Sequence, residues 1–386
     1  MNERDIAIWG GGRFGQKMKT IFESDGYSVV TFVDRESKVA LRNVINSKDI
    51  TDNFVANTVF YVCIRDYYAL GDVVFEMHEK GVEGAWIVNP DIYDENEIES
   101  ISDLKKSGRI YYLDFSNKAV ISKLEFHVID RCNLNCRGCS HFAPEFKNGY
   151  VDINDFEKQM FLVSNSFSNV FRFRLMGGEP FLHDQLGEFA LIARKYLPHT
   201  HLEIVTNGLM YKYVSAENWD LIKRADAVLN ISLYPPTFEC KHLIEEYLNK
   251  IGIKFSFGSG LEQYNDNGII EEFHKCLTHN ATHDAKKAIK RCVGSYCYYL
   301  RDGIISKCSL PQLIGVVNEK YGEKYVVDKK DCIELKTVDD PWSIVERLRK
   351  PMLFCRYCTD SGVLERFKWT NKGEKVISDY IMEANS

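Results

Sequence analysis

The chain has 386 residues, and its 49 Lys and Arg against 55 Asp and Glu give a formal net charge of −6. This balance argues against a nucleic-acid coat or a polybasic membrane binder, because both need a large positive field. Hydrophobic residues make up 45% of the chain and charged residues 27%, which is typical of a folded protein. At about 100–200 residues per domain, the length predicts two or three domains.

Cysteine usage indicates the kind of protein. The chain contains 12 Cys, and its N-terminal residues pass directly from charged side chains into an apolar strand without the pattern of a secretory signal. We find no apolar run of about 18 residues that would cross a membrane. Clustered thiols in a reducing compartment more often bind metal than form disulfides. The sequence therefore predicts a cytoplasmic metalloprotein.

The first predicted elements are a strand over residues 5–9, a glycine-rich turn, a helix, and a second strand that ends in an acidic residue. Glycines let the backbone approach a pyrophosphate, and the acidic residue suits a ribose hydroxyl. Further strands and helices alternate to residue 88, which predicts a Rossmann-like parallel domain. The candidate ligand of this domain is a nucleotide or NAD. The alternative is that the domain binds no nucleotide and either docks a partner protein or is vestigial. The candidate residues are Gly10, Gly12, Gly15 and Asp34.

The middle of the chain predicts a partial (β/α) barrel. Residues 91–118 carry no clear period and are predicted to be a connector that ends a first domain over 1–118. Longer β/α units then predict a barrel domain over 119–260, whose ligands bind at the carboxyl ends of the strands. The predicted strands cover residues 124–130, 171–176, 202–206, 227–233 and 253–257.

These strands alternate apolar with polar residues, although buried parallel strands usually read as continuous apolar runs. If the apolar faces pack on helices, the polar faces line the barrel interior, where charges need partners. We therefore expect His127, Arg174, Glu203 and Lys254 in the lumen, the cations binding phosphate or carboxylate and the other two serving as acid or base. The alternatives are an antiparallel sheet with one wet face and an inverted face assignment.

The sharpest motif is Cys132-x3-Cys136-x2-Cys139, in the loop after the first barrel strand. Three thiolates can hold a [4Fe–4S] cube and leave one iron open to a small molecule. A zinc site normally takes four protein ligands in a structural role, so three thiols fit zinc less well.

In its order of motifs, the chain resembles the radical S-adenosylmethionine (radical SAM) superfamily over roughly residues 120–260. The family's GGEP motif appears as Gly177-Gly178-Glu179-Pro180 after the second strand. Asn207 follows the third strand, Ser232 lies near the end of the fourth, and Gly258-Ser259-Gly260 follows the fifth. One departure is Gly138, where the family often has an aromatic or bulky residue before the last cysteine.

This resemblance implies a [4Fe–4S] cluster on Cys132, Cys136 and Cys139, and SAM as the second cofactor. One electron from a flavodoxin- or ferredoxin-type donor would cleave SAM to a 5′-deoxyadenosyl radical, which abstracts a hydrogen atom from a substrate in the barrel. The residues expected at SAM are Gly177, Gly178, Glu179, Pro180, Asn207, Ser232 and Gly258.

A second group of cysteines follows residue 260 and predicts a small Cys-rich domain over 261–386. The stretch from Cys297 to Cys308 reads as a hairpin with Asp302-Gly303 as its turn, and Cys355-x2-Cys358 supplies two more thiols. These four resemble the ligands of a second Fe–S cluster in twitch or SPASM-like domains. Cys292 or Cys276 is an alternative ligand, and a four-thiolate zinc site is the alternative metal.

The predicted function is that of an oxidoreductase in carbohydrate metabolism. We expect a radical SAM enzyme that dehydrogenates, epimerises or deoxygenates a sugar or nucleotide-sugar, without nucleic-acid or membrane partners. The main alternative is a radical SAM maturase of a ribosomally made peptide. A non-catalytic SAM or Fe–S sensor is a third hypothesis, against which the complete set of motifs argues.

Overall fold

The computed structural model describes residues 5–35, 43–90, 100–147, 149–258, 263–264, 268–292, 295–361 and 364–382. The chain divides into two compact units, one of residues 1–122 with 166–171, and one of residues 123–165 with 172–386. Among the described helices, none has the length and apolar character that a bilayer crossing requires.

The first unit contains a six-stranded sheet in the order β3-β2-β1-β4-β5-β6. Neighbours from β3 to β5 pair in parallel, and β6 pairs antiparallel to β5. The predicted alternation of strands and helices is confirmed. The elements are β1 (Asp5–Trp9), α1 (Arg13–Ser24), β2 (Val29–Asp34), β3 (Val44–Asn46), α2 (Asp52–Asn57), β4 (Thr58–Val62), α3 (Tyr67–Glu79), β5 (Gly84–Val88), α4 (Ile101–Lys106) and β6 (Ile110–Asp114).

The predicted connector over 91–118 is structured from residue 100 onward, and residues 91–99 lie outside the described part. Ser100 caps α4, its hydroxyl accepting from Asp103 N–H at 3.1 Å. Ile110 and Leu113 of β6 are buried, because β6 forms the sixth strand of the sheet. A connector was therefore the wrong interpretation of residues 100–114.

The second unit contains most of an eight-stranded sheet in the order β11-β10-β9-β8-β7-β14-β15-β16, and a small sheet β12-β13-β17. Its strands β8 to β11 pair in parallel. The first residues of β7 (119–122) and of β8 (167–171) belong to the first unit. The elements are β7 (Ala119–Ile129), α5 (Ile153–Ser166), β8 (Phe167–Gly177), α6 (Leu186–Tyr196), β9 (His201–Thr206), α7 (Ala216–Arg224), β10 (Val228–Ile231), α8 (Pro235–Glu239), α9 (Lys241–Ile251), β11 (Phe255–Phe257), β12 (Gln263–Tyr264), β13 (Ile270–Lys275), α10 (Ala285–Arg291), β14 (Tyr299–Arg301), β15 (Ile304–Ser306), α11 (Leu310–Leu313), α12 (Gly315–Tyr321), β16 (Cys332–Glu334), α13 (Pro341–Arg349) and β17 (Glu365–Lys368).

The mixed α/β fold class with parallel sheets is confirmed. Every residue of β7 is buried, so the polar members of its alternating pattern lie inside the protein and not on a wet sheet face. The predicted hairpin is present as β14 and β15, with Asp302 and Gly303 at positive φ in the turn. Because β14 pairs in parallel with β7, the Cys-rich region over 261–386 lies in the same compact unit as the barrel strands.

Candidate functional site

The three-cysteine loop begins where β7 ends. Cys136 is buried and Cys132 and Cys139 are partly buried. Three N–H groups point at its sulfurs: Leu134 N–H and Asn207 Nδ2–H donate to Cys132 Sγ at 3.3 Å and 3.9 Å, and Trp369 Nε1–H donates to Cys136 Sγ at 3.3 Å. Burial raises the pKa of the Cys136 thiol to about 12. A metal would displace this proton, and the N–H donors suit the thiolate that results.

Gly177 and Gly178 at the end of β8 lie against the backbone of the cysteine loop. A Cβ on Gly177 would lie 2.0 Å from the carbonyl oxygen of Ile129, and one on Gly178 would lie 2.0 Å from that of Arg131. Gly177 also has φ +137°, which L side chains rarely adopt. The glycine pair is thus required by the close approach of the two strand ends, a cause that the sequence alone did not indicate.

Glu179 ties these strand ends to β9. Its carboxylate accepts from Thr206 Oγ1 at 2.5 Å, Asn207 N–H at 2.8 Å and Phe181 N–H at 3.0 Å. Burial raises its pKa to about 7, against hydrogen bonds that favour the ionised form. The adjacent Pro180 is buried and starts a single 3-10 turn. Glu179 is therefore a buried residue that holds the end of β8 against the end of β9.

The remaining residues expected at SAM lie at neighbouring strand ends. Asn207 Nδ2 donates to Asn133 Oδ1 at 2.7 Å, which links the end of β9 to the cysteine loop. Ser232 is buried beyond β10, and its N–H donates to Thr206 O. Gly258 follows β11 with φ +77°, and the predicted residues 259 and 260 lie outside the described part.

One cavity of about 360 Å³ joins these elements. Its wall includes the three cysteines of the loop, Gly177, Gly178, Asn207 and Ser232, together with residues of the barrel interior and of the Cys-rich region. A cofactor at the strand ends and a substrate in the barrel would therefore share one cavity.

The barrel side of the cavity carries a charged group on β7 and β8. Lys123 Nζ pairs with Glu125 at 2.6 Å, and Arg174 lies 3.6 Å from Glu125 and 2.8 Å from Glu203. Burial opposes ionisation of Glu125, but the charges of Lys123 and Arg174 outweigh it and hold its pKa at about 2. The structure places Arg174 inside the barrel, on the cavity wall.

The other predicted lumen residues have different surroundings. Lys254 was wrongly placed in the lumen: it precedes the short strand β11, two-thirds of its side chain is exposed, and it pairs with the equally exposed Asp226 at 2.7 Å. His127 is buried, with its ring nitrogens 2.9 Å from Asp130 and 2.8 Å from His141. These contacts occupy both ring nitrogens, so His127 has a structural role beside the cavity and not the predicted acid–base role.

Glu203 is an ion-pair partner in the structure. Arg172 reaches it at 2.6 Å, Arg174 at 2.8 Å and His201 at 3.2 Å. Burial opposes ionisation, but the hydrogen bond from His201 and the charges of Arg174 and Arg172 hold the pKa of Glu203 below its ordinary range. A carboxylate held in this way is a poor proton acceptor, which argues against the predicted acid–base role.

Replacing Arg174 by Met is expected to lower the free energy of unfolding by about 1.5–3 kcal/mol, because it removes a buried cation that pairs with both Glu125 and Glu203 and leaves them only Lys123, Arg172 and His201 as charged partners. Replacing Lys254 by Met removes an exposed pair and should cost less than about 1 kcal/mol. Urea-induced unfolding of the two variants measures the difference. Equal losses would mean that Arg174 is not buried in this ion-pair group.

The second group of thiols differs from the predicted one. Cys308, Cys355 and Cys358 lie within electrostatic reach of one another, and Cys276 joins them. Thr359 N–H donates to Cys276 O at 2.8 Å, so backbone pairing holds Cys276 beside Cys358.

Cys297, in contrast, lies in the charged group of the barrel. Its Sγ accepts from Lys123 Nζ at 3.2 Å, and Glu125 and Arg174 lie close to it. The prediction that Cys297 belongs with the other three was wrong, because β14 runs parallel to β7 and turns this residue toward the barrel. The alternative ligands Cys276 and Cys292 both lie within electrostatic reach of Cys308. Cys276 also contacts Cys358 through its side chain and so takes the place of Cys297 in the group, whereas Cys292 is exposed.

A buried lysine lies beside these thiols. Lys307 is 5% exposed and faces Cys355, Cys292 and Cys308, while its ammonium donates to Leu348 O at 2.5 Å. A buried cation needs a compensating charge, and a cluster held by thiolates would supply it. Within the described residues, no three His, Cys, Asp or Glu side chains are arranged around a single-ion site.

In the first unit, the glycine-rich turn is as predicted. Gly10 has φ +111°, and a Cβ on Gly15 would lie 1.8 Å from Gly10 O. Gly12 is the extended residue before α1. Asp34 Oδ2 accepts from Gly11 N–H at 2.8 Å, so in this structure its carboxylate stabilises the turn.

Sequence reasoning missed Trp369, Phe367 and Asn133. Trp369 contacts the cysteine loop and Asn133 contacts the end of β9, each through one side-chain hydrogen bond. No spacing or motif in the sequence indicates these contacts. Lys123 and Glu125, whose side chains line the cavity with Arg174, were also not among the predicted lumen residues.

Comparison with known families agrees with this geometry. Residues 126–256 match the family model described as "Radical SAM superfamily". The chain carries a radical SAM domain. The resemblance seen in the sequence is confirmed for residues 126–256.

Several curated proteins are similar to this chain. GTP 3′,8-cyclase of Campylobacter curvus (strain 525.92) is 30% identical over 95 residues, which are 24% of this chain and 30% of that protein. GTP 3′,8-cyclase of Sulfurovum sp. (strain NBC37-1) is 27% identical over 175 residues, 42% of this chain and 52% of that protein. The chain thus spans between 30% and 52% of the length of these two relatives.

Solved structures show more distant similarity. SuiB of Streptococcus suis bound to S-adenosylmethionine is 14% identical with a TM-score of 0.31, covering 43% of this chain and 38% of SuiB. BtrN in complex with AdoMet and 2-DOIA is 14% identical with a TM-score of 0.38, covering 69% of this chain and all of BtrN. Neither likeness identifies a substrate for this chain.

Proposed function

We propose that the chain is a radical SAM enzyme that abstracts hydrogen from a small anionic substrate, a sugar phosphate or nucleotide-sugar. The supporting observation is the single cavity that joins the three-cysteine loop and the glycine pair to the charged group of the barrel. Cys132, Cys136 and Cys139 would hold a [4Fe–4S] cluster. When bound, the cluster and SAM supply a 5′-deoxyadenosyl radical.

The protein itself positions the cofactor and the substrate and encloses them. Gly177 and Gly178 let the end of β8 lie against the cysteine loop, and Glu179 fixes that end to β9 through three hydrogen bonds. Asn207 and Ser232 offer polar groups on the cavity wall at the next strand ends. Such an arrangement binds a cofactor and excludes water from a reactive radical.

The charges of the barrel favour an anionic substrate. Of this charged group, Lys123, Arg174 and Glu125 line the cavity, which puts two cations against one carboxylate on its wall. The cationic excess suits a phosphate or carboxylate. The curated relatives are named for a reaction of GTP, a phosphate-bearing molecule, which supports the same class. Dehydrogenation, epimerisation and deoxygenation are the candidate outcomes.

A substrate screen tests this proposal. The reconstituted enzyme is reduced under anoxia with SAM and offered sugar phosphates, nucleotide-sugars or GTP, with uncharged sugars as matched controls. We expect only phosphate-bearing compounds to raise 5′-deoxyadenosine above its substrate-free rate. Stimulation by a peptide, with none by the phosphorylated compounds, would instead favour the maturase function.

We also propose a second Fe–S cluster on Cys276, Cys308, Cys355 and Cys358. The mutual proximity of these thiols and the buried Lys307 support it. Nucleotide or NAD binding by the first unit, a flavodoxin- or ferredoxin-type donor and a cytoplasmic location stay predictions.

A further inference from the structure

The C-terminal segment, residues 364–382, packs on the three-cysteine loop. Arg137 N–H donates to Thr370 O at 2.9 Å, and Arg137 Nε donates to Asp379 Oδ1 at 2.7 Å. The strand β17 within the segment pairs antiparallel with β13. Backbone and side-chain contacts therefore fix the segment against the loop.

Gly138 of the three-cysteine loop lies in close contact with the C-terminal segment. It has φ +67°, and a Cβ on it would lie 2.3 Å from Phe367 Cζ and 2.7 Å from Asp379 O. The ring of Phe367 thus occupies the space of the bulky residue that the sequence lacks before Cys139. The departure at Gly138 is a consequence of this packing.

Trp369 is the residue of the segment that reaches a sulfur. Its Nε1–H donates to Cys136 Sγ at 3.3 Å, and its ring stacks on Tyr234 with centroids 5.6 Å apart. Its backbone N–H donates to Glu271 O at 2.8 Å. The indole is buried, so three contacts and its burial hold the N–H in the direction of the sulfur.

A hydrogen bond to a cluster thiolate stabilises the more negative, reduced form of the cluster and so raises its reduction potential. We infer that Trp369 is a positioning residue that sets the reduction potential of the cluster on Cys132, Cys136 and Cys139. The inference rests on the proposed function, since it requires that cluster. It assigns to the C-terminal segment a role in the electron-accepting step that precedes SAM cleavage.

The test compares Trp369→Phe with Trp219→Phe in the reconstituted holoprotein. Trp219 is also buried, and its indole N–H has no hydrogen-bond partner among the described residues. The midpoint potential is measured by redox titration of the electron paramagnetic resonance signal that changes when SAM is added. We expect a shift to more negative potential for Trp369→Phe and an unchanged potential for Trp219→Phe.

A second measurement applies if Trp369→Phe fails to hold its cluster. Growth with 5-fluorotryptophan makes the indole N–H a stronger donor, so the potential of the otherwise unaltered protein should shift in the positive direction. A potential unchanged by fluorination, or a loaded Trp369→Phe protein with the native potential, would overturn the inference while leaving the cluster in place. Absence of any SAM-sensitive signal in the unaltered protein would overturn the proposed function as well.

Discussion

Replacing Cys132, Cys136 and Cys139 together by Ala is expected to remove about four irons per chain and to abolish SAM cleavage. The three thiols line one cavity with the glycine pair of β8, and three N–H groups already point at their sulfurs. Without the thiols no ligands remain at this strand end for a cube. Iron and sulfide analysis after anoxic reconstitution, together with chromatography of 5′-deoxyadenosine, measures the effect.

Cys240→Ala is the matched control, because its S–H donates to Pro236 O away from the loop. This variant should keep the native iron content and the native rate of SAM cleavage. Retention of 5′-deoxyadenosine formation by the triple variant would show that another site cleaves SAM.

Replacing Cys355 and Cys358 together by Ser is expected to remove a further cluster of about four irons while SAM cleavage without substrate continues. Both thiols lie within electrostatic reach of Cys308, and Cys276 contacts Cys358. Cys297→Ser should retain the iron, because this thiol contacts Lys123 in the barrel. The iron content and the visible absorbance are measured for the unaltered protein, the double variant and Cys297→Ser, and show which variant loses the cluster.

Two results would contradict this ligand assignment. Loss of the same iron in Cys297→Ser would return that residue to the ligand set. Zinc bound in the unaltered protein, and lost from the double variant without a change in visible absorbance, would show a four-thiolate zinc site instead.

The parts of the fold that were predictable from sequence depend on local patterns. Most strands and helices over residues 5–88 and 124–257 follow from hydrophobic periodicity, and the strand-end positions of the cysteine loop and GGEP follow from their places after those strands. The hairpin turn at Asp302 and Gly303 follows from two residues that tolerate positive φ. Such signals lie within a few residues of the structure they specify.

The parts that were missed depend on tertiary placement. Strand alternation put Lys254 on the polar face, but β11 is a short edge strand whose polar side chains reach solvent. The sequence spacing predicted that Cys297 and Cys308 bind the same cluster. In the structure, the pairing of β14 with β7 turns Cys297 toward Lys123. Trp369 contacts Cys136 from the far end of the chain. A single sequence carries no local signal for contacts of this kind.

The most direct test of the central claim is whether the reconstituted, reduced protein converts SAM to 5′-deoxyadenosine and methionine. The account predicts both products in equal amounts, formed only when iron, sulfide and a strong one-electron reductant are supplied. A protein that binds a full complement of iron yet forms neither product from SAM would contradict it.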